Sequence, residues 1–200
     1  MFVKSLVAAI GMTAALGAAA APIVNGNFEA GLTGWTTSGN VYLAAPAGGA
    51  FWFGAGSTAQ NGNYAAAFNA GDSTPNGALS QTFATTTGAR YTVSFDFGAT
   101  NCQFSCGQSL LASALGHDGL ASLALLNAAG QSSGPLGSFT FGFVANGTST
   151  TLRFSDLASN DTTWLDGVLD NVNVQAVPEP ASLALLGLGL FGIAVGRRRK

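Results

Sequence analysis

One short run sets the terms on which this chain can fold. In Tyr91-Thr92-Val93-Ser94-Phe95-Asp96-Phe97, aromatic or branched side chains alternate strictly with polar ones. Successive side chains on a strand point to opposite faces, so this run predicts a strand with one buried face. The same period of two recurs in Ser138-Phe139-Thr140-Phe141-Gly142-Phe143 and in Thr151-Leu152-Arg153-Phe154-Ser155. Asn146-Gly147 lies between these two, and the pair is predicted to form a hairpin. Asp170-Asn171-Val172-Asn173-Val174 predicts the last strand, Leu79-Ser80-Gln81-Thr82-Phe83 an earlier one, and Tyr64 to Phe68 another. Clusters such as Asn61-Gly62-Asn63 and Gly71-Asp72-Ser73-Thr74-Pro75-Asn76-Gly77 carry turn chemistry. Many short strands at regular spacing imply an all-β sandwich. Ser109 to Asn127 is the exception: around Gly116-His117-Asp118-Gly119 its Leu, Ala and Ser content fits either a short helix or a long loop.

Both ends of the chain have a different character. Met1-Phe2-Val3-Lys4 is a short basic start, an apolar run follows from Leu6 through Leu16, and Ala18 to Ala21 are small. That order predicts a helical secretory signal peptide over residues 1–21, cleaved after Ala20 or Ala21. At the other end Val177-Pro178-Glu179-Pro180 precedes an apolar segment over about 181–196 and the basic tail Arg197-Arg198-Arg199-Lys200. At ~1.5 Å per residue the apolar segment reaches about 24 Å, a thin single transmembrane helix for a hydrocarbon core of about 30 Å. The basic cluster would stay in the cytoplasm, leaving everything before Pro178 outside.

Pro-Glu-Pro, a short hydrophobic helix and terminal arginines, in that order, resemble the PEP-CTERM sorting signal of Gram-negative bacteria. The resemblance covers residues 177–200. It implies recognition by a membrane-embedded exosortase, transient anchoring in the inner membrane, removal of the tail near Pro178-Glu179-Pro180, and passage to the cell surface or an exopolysaccharide matrix.

Between the two ends, residues 22–176 have the length of one domain. Its acids are Glu29, Asp72, Asp96, Asp118, Asp156, Asp161, Asp166 and Asp170, against only Arg90 and Arg153, a net charge near −6. Nucleic-acid binding needs clustered bases, so this balance argues against it. Cys102 and Cys106 are the only cysteines, and an exported chain can join them as a disulfide across a small loop. Zinc is disfavoured, because no second cysteine pair or nearby histidine completes a site.

Five pieces in order resemble the galactose-binding-like jelly rolls of carbohydrate-binding modules. They are Asn25-Gly26-Asn27-Phe28-Glu29, Gly34-Trp35, Ala78 to Phe83, Gly88-Ala89-Arg90-Tyr91-Thr92-Val93-Ser94-Phe95, and Leu169-Asp170-Asn171-Val172. The resemblance implies a jelly-roll β-sandwich over nearly the whole domain. It also implies a structural calcium ion tying the first strand to the last through Glu29 and Asp170, with carbonyl oxygens near Asn27 or Gly62. Calcium takes six to eight oxygens, a demand that two carboxylates and several carbonyls meet. The plainer reading makes these two acids a cap and a surface group.

Sugars stack on exposed aromatic rings, so Trp52 in Phe51-Trp52-Phe53 and Trp164, beside Asp161, Thr162 and Asp166, are candidate ligand contacts. For each the plainer reading is a core residue, as it is for Trp35. His117 beside Asp118 is read as a surface histidine, since no nucleophile-elbow sequence accompanies it. Asp166 and Asp170 would share a strand face, but nothing marks a cleft for glycoside hydrolysis. Asn146 and Asn160 begin Asn-X-Thr sequons.

The expected protein is therefore a non-enzymatic, surface-sorted β-sandwich that associates with extracellular polysaccharide by weak carbohydrate binding. The alternative is a structural biofilm or cell-surface protein acting by protein contacts. Intact mass of the protein from its producing cell should show both ends removed; full-length chain in the cytoplasm would contradict the export reading.

Overall fold

The computed structural model describes residues 23–44, 62–68, 76–100, 108–119, 122–130, 136–157 and 166–178. Among them are ten strands: β1 (Thr36–Ser38), β2 (Val41–Ala44), β3 (Ala65–Phe68), β4 (Ala78–Ala84), β5 (Arg90–Thr100), β6 (Gln108–Leu115), β7 (Ser122–Gly130), β8 (Gly137–Val144), β9 (Ser149–Asp156) and β10 (Asp166–Ala176). They form two five-stranded sheets, in the orders β1-β4-β9-β6-β7 and β2-β3-β10-β5-β8. Every strand pair within the sheets is antiparallel.

Alternation decides which side of each strand is dry. On β5 Tyr91, Val93, Phe95 and Phe97 are all buried, while Thr92, Ser94 and Asp96 are only half-buried. Leu152 and Phe154 on β9, and Leu110, Ala112 and Ala114 on β6, bury the matching positions of the opposite sheet. The two inner faces meet in rings: Phe95 meets Phe154 edge-on at 5.1 Å, and Trp35 lies 6.2 Å from Phe154 and 5.5 Å from Phe28. Such tilted and edge-to-face pairs add about 0.5–1.5 kcal/mol each beyond area burial.

The predicted hairpin from Ser138 to Ser155 does not form. β8 pairs only with β5, whereas β9 pairs with β4 and β6 in the other sheet. The connection between them crosses the sandwich alongside the β4–β5 connection. Ala145 donates to the Ala89 carbonyl at 3.0 Å, and Thr85 donates to the Thr148 carbonyl at 2.9 Å. Neither Asn146 nor Gly147 has the positive φ that a two-residue hairpin turn demands. Ser109 to Asn127, where helix and loop were both open, is instead the hairpin β6–β7. Gly119 donates to the Gly116 carbonyl at 2.7 Å and takes φ +71°, a conformation suited to glycine.

One end of the sandwich is closed by these short hydrogen-bonded turns, and there Val177 leaves β10 by donating to the Arg90 carbonyl at 2.9 Å. From the opposite end spring the connections β3–β4, β5–β6, β7–β8 and β9–β10. Phe154→Ala should cost about 3–5 kcal/mol in denaturant unfolding, whereas Val144→Thr, at a 43% exposed site, should stay within about 0.5 kcal/mol.

Candidate functional site

The N-terminal segment is not the first strand that the jelly-roll resemblance implied for Glu29. Residues 23–34 form a series of turns instead. Asn25 organises them: at φ 54° its Nδ2 donates to the carbonyls of Gly31 and Thr33 at 2.8 and 3.1 Å, and its Oδ1 accepts from Ala30 at 3.0 Å. Phe28 also takes a positive φ, 57°, and its ring is fully buried against Trp35. Strain of that kind in a bulky residue persists only where packing holds it. The Trp35 indole N–H donates to the Asn25 carbonyl at 3.0 Å, so Trp35 is a core residue with its polar edge satisfied.

This turn series is fastened to the second sheet at two points. Glu29 Oε1 accepts the backbone N–H groups of Asn63 at 2.7 Å and Tyr64 at 3.0 Å, immediately before β3. A side chain at Gly62 would collide with that carboxylate. Val172 on β10 donates to the Gly26 carbonyl at 2.9 Å, and a Cβ on Gly26 would run into the Val172 carbonyl oxygen.

Between these fastenings β10 carries a bulge. Its register with β5 shifts between Asp170 and Asn173, and Asn171 stands at φ 53°. Asp170 Oδ1 accepts the Asn171 N–H at 2.7 Å, and the Asn171 Nδ2 reaches across to Asp96 Oδ2 at 2.8 Å. Ser138 donates to Asp96 Oδ1 at 2.6 Å. Asp96 and Asp170 are cross-strand partners on the face turned away from the core, and Asp170 is only 1% exposed. Arg153 lies in the other sheet, and Arg90 begins β5 six residues before Asp96, about 20 Å along the strand.

Glu29 and Asp170 thus both lie near the start of β3, one bonded to the Tyr64 N–H and the other following Leu169, the ladder partner of Ala66. Asn27 belongs to the same turns. Among the described residues no group of three or more His, Cys, Asp or Glu side chains gathers here, so any cation at this place would depend on carbonyl oxygens as well. Asp166 opens β10 opposite Thr100, at the end from which the long connections spring. His117 is exposed in the β6–β7 turn, where its N–H donates to Asn146 Oδ1 at 3.1 Å. Trp52, Trp164, Cys102, Cys106, Asn160, the segment 1–21 expected to be a signal peptide, and the tail beyond Pro178 with Glu179, Pro180 and Arg197 to Arg199 lie outside the described residues.

Sequence reasoning missed Asp96, Ser138 and Asn171. Their one signal was polarity at the outward positions of otherwise apolar strands, which every solvated strand shares.

A family model described as Protein of unknown function (DUF642) matches residues 21–175. The chain belongs to the DUF642 family. Behind this DUF642 domain, residues 176–200 match the PEP-CTERM protein-sorting motif, which marks an exported chain with a membrane-inserting tail. No curated protein matches the chain. Among solved structures the domain is similar to TmCBM61 in complex with beta-1,4-galactotriose, at 16% identity and TM-score 0.58, over 77% of this chain and 97% of the other. It is similar to the Stig cyclase Fisc from Fischerella sp. TAU, at 18% identity and TM-score 0.57, over 80% and 98% of the two chains. A family 16 carbohydrate-binding module follows at 15% identity and TM-score 0.53, over 76% and 97%. At these identities the likeness establishes the fold, a carbohydrate-binding-module-like jelly roll, and a fold shared by binding modules and a cyclase does not name an activity.

Gly62→Ala and Glu29→Ala should each cost about 2 kcal/mol, because both remove the charge-assisted bonds to Asn63 and Tyr64. In the double variant the losses should not add, which a double-mutant cycle by urea unfolding would read.

Proposed function

We propose that the DUF642 domain is a non-enzymatic module, sorted to the cell surface or extracellular matrix, that associates with extracellular polysaccharide by weak carbohydrate binding. The observation that carries this reading is the pairing of a carbohydrate-binding-module-like sandwich with a sorting motif on one chain. An exosortase would remove the tail near Pro178-Glu179-Pro180, freeing the domain from the inner membrane. Trp164, between β9 and β10 in the sequence, is the first candidate for stacking on a sugar, with Trp52, between β2 and β3, the second. Cys102 and Cys106 both fall between β5 and β6 in the sequence, and a disulfide between them would constrain that connection. A hydrolase reading gains nothing from Asp170, since an acid that is 1% exposed is poorly placed to reach a glycosidic oxygen.

The same reading includes a structural calcium ion held by Glu29 and Asp170. It would lock the N-terminal turns to β3 and β10.

A second reading, a structural surface or biofilm protein working by protein contacts, is favoured by β8. This edge strand runs in unbroken register with β5 from Gly137 to Val144 and carries no charge and no proline. Natural sheets usually blunt such an edge.

Glycan-array binding by the tail-free domain, with and without calcium, separates the two readings. Retention on at least one polysaccharide is expected, reduced by Trp164→Ala; silence on every glycan in both conditions would leave the protein-contact reading. Calcium at 100 times its dissociation constant should add about 2.7 kcal/mol of stability to the wild type. Glu29→Gln and Asp170→Asn should abolish that increment, and a wild type indifferent to calcium would remove the ion from the proposal.

A further inference from the structure

The turn that clasps β6–β7 to the β8–β9 crossing assembles the parts of a small reaction. The chain contains four Asn-Gly dipeptides, at 25–26, 61–62, 76–77 and 146–147. An Asn side-chain carbonyl followed by glycine is open to attack by the glycine backbone nitrogen, because no side chain shields the approach. Asn25 is held away from that path: its carboxamide makes three hydrogen bonds and its backbone is left-handed. Asn76 is half-buried, with Nδ2 donating to the Asp156 carbonyl at 3.3 Å. Asn61 lies outside the described residues.

Asn146 differs in three respects. It is exposed to water, while Gly147 beside it is buried. Its Oδ1 accepts the backbone N–H of His117 at 3.1 Å, which draws electron density from Cγ. The His117 side chain also rests on Gly147: a Cβ there would lie 2.6 Å from His117 Cβ and 3.0 Å from Cδ2, the ring carbon bonded to Nε2.

We propose that Asn146 is a self-modification site, converted to aspartate and isoaspartate with His117 assisting. The imidazole takes the amide proton of Gly147, and the nitrogen forms a bond to Asn146 Cγ. Negative charge gathers on Oδ1 under the His117 N–H. The C–N bond to Nδ2 then breaks, the imidazolium returns the proton, and ammonia leaves a five-membered succinimide. Water opens that ring at either carbonyl, restoring the chain as aspartate or as isoaspartate. No oxidant or reductant is required. Each event adds one negative charge at the closed end, and isoaspartate adds a backbone methylene to the crossing that Ala145 and Thr148 hold in place. The product also lacks the carboxamide of the Asn146 sequon.

The exported protein, purified from its producing cells and incubated at neutral pH, would be sampled over time by peptide mapping. The map reads the mass increase at Asn146 together with an isoaspartate assay. A synthetic peptide spanning residues 144–151 supplies the unfolded rate. Conversion at Asn146 in the folded chain should run about tenfold faster than in the peptide, and His117→Gln, which keeps the backbone N–H, should fall back to the peptide rate. Asn25 and Asn76 in the same digest should stay unconverted. Thermal unfolding of the His117→Gln protein checks that it is folded. A folded-chain rate at or below that of the peptide overturns the proposal, and so does a folded His117→Gln variant that converts as fast as the wild type.

Discussion

Contact between the inner aromatic rows holds this domain together. Phe95 from the second sheet and Phe154 from the first meet edge to face at 5.1 Å, and Trp35 extends the row from Phe154 to Phe28. Two antiparallel sheets have no other way to bury one face each, and the spacing of rings sets how closely they approach. Beside these large side chains the sequence places alanines, Ala112 next to Phe154 in the ladder and Ala66 next to Leu169, so that large and small alternate within each layer.

The polar features of the molecule follow from that packing. Because Phe95, Phe97 and Leu169 point inward, Asp96 and Asp170 must point outward and opposite one another. Two carboxylates at a cross-strand position repel. Ser138 and the left-handed Asn171 supply hydrogen bonds to Asp96, and the bulge at Asn171 turns a second donor, its backbone N–H, onto Asp170. The N-terminal turns then fasten over the same stretch of β10 through Gly26 and over the approach to β3 through Glu29. Burial of Phe28 in the aromatic row couples those turns to the core.

Strand identity was legible wherever alternation ran for five residues or more, as in β4, β5, β8, β9 and β10. Partner choice was not. β8 and β9 are adjacent in sequence, separated by Asn-Gly, and carry matching patterns, yet they belong to different sheets because the backbone hydrogen bonds of Ala145 and Thr148 go to residues 85–89. Alternation says that a strand has a dry face; it does not say which sheet that face closes. The β6–β7 hairpin was ambiguous for a related reason, since runs of Leu, Ala and Ser fit two periods at once. At the candidate site, Glu29 and Asp170 were noticed through resemblance to a family and Asn171 stood in the same matching piece without a role of its own, whereas Asp96 and Ser138 carried no pattern that sets them apart from ordinary solvated positions.

Taken alone, the sequence determined an all-β domain ahead of a sorting tail, a strongly acidic balance, and the inward set of aromatic residues. These are properties of composition and of period along one chain, and they need no knowledge of neighbours. The tertiary structure decided the strand order, the crossing at Ala145 to Thr148, the turn series that replaces a first strand around Glu29, and the meeting of His117 with Asn146. Each of those depends on which backbone groups find one another across the fold, a choice made by three-dimensional closure of the two sheets.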